Sequence, residues 1–246
     1  MVQAVINRGQ TLQRPPAGAQ RPRQLEGKTA AVLAGDSGIG RAVAIAFAKA
    51  GANVAIIYLN DHRSAEETRQ AILRHNVRCV LVAGDAATEG FCRNAVKRIL
   101  RALGRLDILV NNATEQRRNA GESEPLETDL LGIFYLTKAA IPHLAARGVV
   151  INTTAVTAWH DHAHLIDDTA TTGTIVSFTR SVARTLTDRG IRVNAVTPGI
   201  LRTAGPRREQ APALDGLAPS YLLLAAGDGS IRTGQVLHVK AQKTAA

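Results

Sequence analysis

The sequence predicts an α/β protein built on a single doubly wound, Rossmann-like parallel sheet of seven strands. Short apolar runs such as 29–35 and 106–113 alternate with segments whose apolar residues recur at helical spacing. These runs show little polar alternation, which is typical of parallel strands covered by helices on both faces. Since 246 residues suit one α/β unit and no internal repeat is present, we expect a single domain.

Each element follows from its own local pattern. Gly51 and the Glu66–Glu67 pair mark helix ends, and Pro142 is expected to loosen the end of its helix. Residues 1–24 contain three prolines and little periodicity, so they predict an extended or disordered basic arm before a domain at 25–246. The predicted strands are 29–35, 53–58, 77–85, 106–113, 149–154, 191–196 and 235–239, and the helices are 39–50, 64–75, 88–103, 126–146, 169–187 and 217–226.

Composition narrows the functional classes. No apolar run approaches the roughly 18 residues of a membrane span, and the N-terminus has no apolar signal region, so we expect a cytoplasmic protein. Cys79 and Cys92 lack metal-ligand spacing and are expected to be reduced thiols. The net charge of +10 comes from dispersed arginines, and only 3% of residues are aromatic. This pattern argues against nucleic-acid binding and favours an anionic small molecule or acidic partner.

A glycine-rich loop joins the first strand to the first helix. Gly35, Gly38 and Gly40, with Ser37 and Ile39 between them, would let the backbone turn tightly and approach a pyrophosphate at the helix N-terminus. A plain strand-to-helix turn is the alternative reading.

From Leu25 to Val239 the sequence resembles the short-chain dehydrogenase/reductase family. Four motifs occur in the family's order: the glycine loop, Gly84-Asp85, the NNA run at 111–113 and Pro198-Gly199. Several longer sequence segments resemble the branch of the family that has an N-terminal arm. The resemblance implies a nicotinamide dinucleotide cofactor, a small-molecule substrate pocket over the carboxyl ends of the strands, and a homo-oligomer, usually a tetramer.

The resemblance also implies cofactor contacts. Asp85 and Ala86 would flank the adenine, and Asn112 and Ala113 would line the ribose. After the second strand, Asp61 favours NAD, whereas His62 or Arg63 favours the 2′-phosphate of NADP, so the choice stays open. The full implied cofactor set is Gly35, Ser37, Gly38, Ile39, Gly40, Asp85, Ala86, Asn112, Ala113, Pro198 and Gly199.

The family's catalytic residues are replaced in this chain. Family members use a tyrosine, a lysine four residues later, a serine thirteen residues earlier and an asparagine on the preceding helix. Those positions fall on Asp168, Thr172, Ala155 and Asp129 respectively. Because Thr172 removes the ribose-holding lysine, and because Ala34 replaces the threonine that usually opens the glycine loop, we expect NAD(P) binding to be weak or vestigial.

The altered loop has gained ionisable residues. The alternate histidines in HDHAH (160–164) are a pattern that can bind a metal ion. Because spacing in a loop says little about ligand geometry, we do not predict a metal site. A solvated polar loop is the alternative without a function. If the loop is functional, the predicted acid–base group is Asp168 at the pocket floor, with His162 or His164 opposite.

Three functions are weighed. The favoured expectation is a non-redox enzyme, an isomerase, lyase or cyclase, acting on a small carbonyl metabolite. The alternative is a catalytically inactive protein that pairs with an active relative through the apolar segment 130–144. The third is an NAD(P)-dependent oxidoreductase with a relocated catalyst. We expect a homo-oligomer, either a dimer or a tetramer. If the chain is instead a catalytically inactive protein, we expect a hetero-oligomer with an active relative.

Overall fold

A computed structural model describes residues 3–6, 23–112, 125–154, 165–198, 214, 216–227 and 231–240. The strands are β1 (Gln3–Ile6), β2 (Thr29–Leu33), β3 (Asn53–Tyr58), β4 (Cys79–Ala83), β5 (Leu106–Asn111), β6 (Leu144–Thr153), β7 (Arg192–Pro198) and β8 (Val236–Lys240). The helices are α1 (Gly38–Lys49), α2 (His62–Leu73), α3 (Glu89–Leu103), α4 (Pro125–Ala140), α5 (Leu165–Thr185) and α6 (Ala218–Ala226), with 3-10 turns at Ile141–His143 and Thr187–Arg189.

The predicted parallel seven-stranded sheet is confirmed. The strand order is β1-β8-β7-β6-β5-β2-β3-β4, and β2 to β8 pair in parallel. The chain leaves β2 toward β3 and β4 on one side and reaches β5 to β8 on the other. The order therefore reverses between β2 and β5, the position at which open α/β sheets form a ligand crevice.

Helices cover both faces of the sheet, each over its own apolar cluster. One cluster includes residues of α1, α2 and α6, among them Phe47 and Leu224. The other includes residues of α3, α4 and α5, among them Ile99 and Leu136. The fully buried strands lie between these two layers, which explains their uninterrupted apolar runs.

The largest boundary difference from the prediction lies around Pro142. The long helix predicted to end at residue 146 ends at Ala140, because a 3-10 turn containing Pro142 follows it. β6 consequently starts at Leu144, before the predicted strand at 149–154. In α2 the capping residue is Asp61 rather than Ser64: its carboxylate accepts hydrogen bonds from the Ser64 amide at 3.0 Å and hydroxyl at 2.7 Å.

The N-terminal segment contributes an eighth strand. β1 pairs antiparallel with β8, in a register that places Gln3 opposite Lys240 and Ile6 opposite Leu237. This pairing covers an edge of the parallel sheet, where unpaired backbone groups would otherwise lie. Within the ranges that the structure describes, no helix is long and apolar enough to cross a membrane.

Candidate functional site

The glycine loop lies at the crevice between β2 and β5. α1 begins at Gly38, whose φ of 53° is a left-handed conformation that favours glycine. Ser37 is the N-cap but its side chain makes no capping hydrogen bond. The first turn of α1 carries no acidic residue, and Arg41 follows within it. The positive end of the helix is therefore presented to an anion.

The loop is packed too closely for side chains at its glycines. A Cβ on Gly40 would collide with the backbone carbonyl of Ala34 and would lie 3.0 Å from Nδ2 of Asn112. A Cβ on Gly35 would lie 3.1 Å from the Val32 carbonyl oxygen. Glycine is therefore required by close packing, as expected for a backbone that must approach a phosphate.

Asn112 follows β5 and faces this loop. Its side chain is 4% exposed, and Oδ1 is buried without a hydrogen-bond partner in the described part of the chain. Since a buried acceptor left unsatisfied costs free energy, Oδ1 has capacity for a donor such as a ribose hydroxyl. The glycine cradle, the uncapped helix N-terminus and this acceptor together fit a dinucleotide.

Asp85 and Ala86 lie in the turn after β4. Asp85 Oδ1 accepts a hydrogen bond from the Ala87 amide at 2.9 Å, and the Ala86 carbonyl accepts one from the Cys92 thiol at 3.1 Å. Ala86 also approaches α4, because its Cβ would lie 3.4 Å from a Cβ on Gly132. The turn is thus held on the side of the sheet that carries the crevice.

A histidine and two arginines lie near the end of β3. The His62 ring lies 3.0 Å from the Tyr58 hydroxyl, and Arg63 forms an exposed ion pair with Glu67 at 3.2 Å. Arg41 donates to the Thr68 hydroxyl at 3.0 Å. Burial raises the pKa of Tyr58, so its phenol stays neutral.

Hydrogen bonds join four buried polar side chains next to the crevice, and this group is called the buried polar chain. Asn111 Nδ2 donates to Asn152 Oδ1 at 2.7 Å and to Thr137 Oγ1 at 2.9 Å, and Asn152 Nδ2 donates to Thr179 Oγ1 at 2.9 Å. These bonds tie β5 and β6 to α4 and α5. Sequence reasoning missed this chain, although polar residues at the ends of two apolar runs were a usable signal.

The positions of the replaced catalytic residues are only partly described. Asp129 lies in α4 and Asp168 in the first turn of α5. Thr172 lies one turn after Asp168, and its hydroxyl oxygen is buried without a partner in the described residues. Pro198 ends β7. Ala113, Ala155, His162, His164 and Gly199 lie outside the described residues, so their predicted roles remain predictions.

Neither cysteine forms part of a reactive site. Cys79 and Cys92 are free thiols, and burial raises the pKa of each to about 12. Among the described residues there is no group of three or more side chains arranged to hold a metal ion.

Comparison with known proteins gives the chain's relatives. The sequence model described as short chain dehydrogenase matches residues 28–212. The uncharacterized oxidoreductase YhdF of Bacillus subtilis is 45% identical over 240 residues, covering 88% of this chain and 83% of the relative. The chloroplastic NADPH-dependent aldehyde reductase 1 of Arabidopsis thaliana is 36% identical over 251 residues, covering 89% of this chain and 87% of the relative.

Solved structures show the same fold. A short chain dehydrogenase from Burkholderia cenocepacia in complex with NADP aligns with a TM-score of 0.77 at 28% identity, over 90% of this chain and 100% of the other. A blue fluorescent protein from a metagenomic library, in complex with NADPH, aligns with a TM-score of 0.76 at 27% identity, with the same coverage.

These comparisons correct the expected function. The expectation of a non-redox enzyme and its alternative of an inactive partner protein are both wrong: the relatives are named oxidoreductases and dehydrogenases, and solved neighbours hold NADP or NADPH. The inference failed because it gave decisive weight to the replaced proton-transfer residues. Hydride transfer depends on the dinucleotide site, whose loop geometry is intact.

Proposed function

Because this chain belongs to the short-chain dehydrogenase/reductase family, we propose that it is an NAD(P)-dependent oxidoreductase that interconverts a small carbonyl compound and its alcohol. The observation that carries the proposal is the close-packed loop at Gly40, beside the unpartnered Oδ1 of Asn112. A backbone held this tightly at an uncapped helix N-terminus is suited to a pyrophosphate.

The chain's own residues divide into binding and proton-transfer groups. Amides at Gly38, Ile39 and Gly40 would hold the pyrophosphate, and Asn112 a ribose hydroxyl. A dinucleotide held there would supply or accept the hydride at the substrate carbon. In this proposal the proton on the substrate oxygen is exchanged with Asp168, which lies in the first turn of α5.

An aspartate can accept the proton without adjustment, whereas donating it to a carbonyl requires surroundings that raise the pKa of a carboxyl. An ordinary carboxyl with a pKa of about 3.9 is ionised at neutral pH and serves as a base for alcohol oxidation. The buried Thr172 hydroxyl, one helical turn on, is a hydrogen-bond donor available to orient such a carboxylate. His162 and His164, which precede α5 in the sequence, are the further proposed acid–base residues.

We propose NADP(H) rather than NAD(H) as the preferred dinucleotide. Asp61, the residue that would favour an unphosphorylated ribose, accepts from Ser64 through both carboxylate oxygens and so serves as a helix cap. His62 and Arg63 stand next to it. The ion pair of Arg63 with Glu67 is exposed and worth little, so the guanidinium can turn toward a 2′-phosphate.

Affinity for the dinucleotide is expected to be weakened. Thr172 offers no charge where a lysine would hold the ribose, and Ala34 has a φ of 51°, a strained conformation for alanine within the phosphate loop. Substituting Thr172→Lys should therefore tighten binding.

Calorimetric titration with NADPH and with NADH tests this proposal. We expect NADPH to bind roughly tenfold more tightly than NADH, the worth of one charge-assisted contact. Arg63→Gln should remove most of that preference, whereas Arg74→Gln at the exposed far end of α2 should leave it unchanged. Failure to bind either dinucleotide would overturn the function, and equal binding would overturn the choice of NADP.

We also propose a homo-oligomer. Leu131 and Phe134 on α4 are the large apolar side chains most exposed among the described residues, at 37% and 45%, and Phe134 contacts Phe178 of α5. An apolar stripe shared by two helices is suited to a second copy. Phe134→Lys should lower the mass measured by light scattering.

The two free thiols suit a cytoplasmic location.

A further inference from the structure

A groove lies between α3 and α4, away from the dinucleotide crevice. Residues one helical turn apart on α3, Glu89, Arg93 and Lys97, face residues at helical spacing on α4 and the turn after it. No residue of the glycine loop belongs to this groove. Its lining is Glu89, Arg93, Lys97, Tyr135, Lys138, Ala139, Pro142 and His143.

The charges of the groove are unbalanced. Its single carboxylate, Glu89, already forms ion pairs with Arg93 and Lys138, both at 3.1 Å. These two cations hold the pKa of Glu89 below its usual range, so the carboxylate stays ionised but is already shared. Lys97 has no ion pair or hydrogen bond to another described residue. The groove therefore carries a surplus of positive charge.

Among the described side chains of α3 and α4, no further carboxylate compensates this charge. α3 also carries Arg98 and Arg101, and Glu89 is its only acidic residue. Along α4, the side chains described from residue 130 onward include a single charged group, the ammonium of Lys138. At the groove itself the field is positive, which attracts anions from solution.

The floor of the groove is largely apolar. The half-buried Tyr135 and Ala139 and the exposed Pro142 supply carbon surface among the charged side chains, and the cavity measures about 200 Å³. That volume lies below the roughly 300–1,000 Å³ of pockets for drug-sized ligands, so it suits a smaller molecule and is too small for a dinucleotide or a folded partner. An apolar floor with a few converging charged groups is the usual form of a small-molecule site.

From this geometry we propose that the α3–α4 groove is a second ligand site, for a small molecule with one anionic head and a flat apolar body. Lys97 and Arg93 bind the carboxylate or phosphate head, and the body lies against Tyr135 and Pro142. Binding is non-covalent and independent of the dinucleotide. Lys138 also borders the exposed α4 face proposed as the oligomer interface, because its ammonium lies 6.0 Å from the centre of the Phe134 ring. The anionic head is therefore assigned to Arg93 and Lys97 of α3.

Calorimetry with phenyl phosphate and with benzoate tests the site, using the full chain saturated with NADPH to exclude the crevice. The two probes distinguish a phosphate head from a carboxylate head. Lys97→Glu should weaken binding roughly tenfold or more. Arg101→Glu on the same helix changes the net charge equally but lies outside the groove, so it should alter binding by less than about twofold.

Two further measurements separate the groove from general electrostatics. Benzyl alcohol, which lacks the anionic head, should not bind measurably. Ala139→Phe, which fills the floor without changing charge, should abolish phenyl phosphate binding, and circular dichroism will establish that each variant is folded. Absence of binding by both anionic probes, or equal losses in Lys97→Glu and Arg101→Glu, would overturn the proposal. If the crevice fails to bind NADPH, the groove variants still give their own result.

Discussion

The carbonyl oxygen of Ala34 occupies the space in which a side chain on Gly40 would begin. The end of β2 and the first turn of α1 are therefore in direct backbone contact. Nδ2 of Asn112, at the end of β5, would lie 3.0 Å from the same Cβ. Strand, helix and the crevice asparagine thus meet at one glycine, and the dinucleotide site depends on that contact.

Gly40→Ala tests this contact. The added methyl must displace backbone, so we expect the free energy of unfolding to fall by about 1–3 kcal/mol and dinucleotide binding to weaken. Gly90→Ala is the control, because a Cβ there meets nothing within 4 Å and Gly90 lies in α3, where alanine is the better helix former. Urea unfolding and NADPH titration give both readouts. A Gly40→Ala protein of unchanged stability and affinity would contradict the packing argument.

Ala34→Gly should relieve strain in the same loop. The left-handed φ of 51° costs alanine about 1–2 kcal/mol, which exceeds the roughly 0.5–1 kcal/mol of backbone entropy that glycine loses on folding. We expect a small gain in unfolding free energy. Ala50→Gly, at a φ of −82°, should instead lose stability. Parallel losses in the two variants would show that Ala34 is unstrained.

Thr179→Val should destabilise the buried polar chain. It removes the acceptor of Asn152 Nδ2 and leaves a buried amide unsatisfied, at a cost of about 1–3 kcal/mol. Thr185→Val on the exposed face of α5 is the matched control and should change stability by less than about 0.5 kcal/mol. The denaturant midpoints of the two variants are compared. Similar midpoints would mean that the buried polar chain contributes nothing to the stability of the fold.

The cysteines should react far more slowly in the native chain than after unfolding. With a pKa of about 12, each thiol is almost entirely protonated near pH 8, so labelling by a disulfide reagent should be roughly a hundredfold or more slower than for free cysteine. Raising the pH should speed labelling, because the thiolate fraction grows. Both thiols should react at once in guanidinium; rapid labelling of the native chain would show that burial does not protect them.

Local patterns predicted the seven parallel strands and the glycine loop, because burial on both faces leaves an apolar signature in the sequence. They could not predict β1, whose four residues gain a partner only through long-range pairing with β8. The Asn111–Asn152 pair likewise depends on the register of β5 and β6.

The functional error has a different origin. The spacing of Ala155, Asp168 and Thr172 located the proton-transfer positions in the family pattern, but their side chains gave no information on the hydride site. That site rests on backbone packing at Gly40 and on Asn112, which a residue-by-residue comparison of catalytic groups leaves out.

Turnover of NADPH with a panel of small aldehydes and ketones, and of NADP with the corresponding alcohols, tests the proposed function most directly. We predict dinucleotide-dependent turnover by the unmodified chain, lowered about a hundredfold or more in Asp168→Asn while NADPH affinity is retained. The double substitution Asp168→Tyr with Thr172→Lys should preserve or raise turnover, since it restores the family's proton-transfer pair. Absence of turnover by the unmodified chain across the panel, together with turnover by the double variant, would contradict the proposal that Asp168 serves an active oxidoreductase.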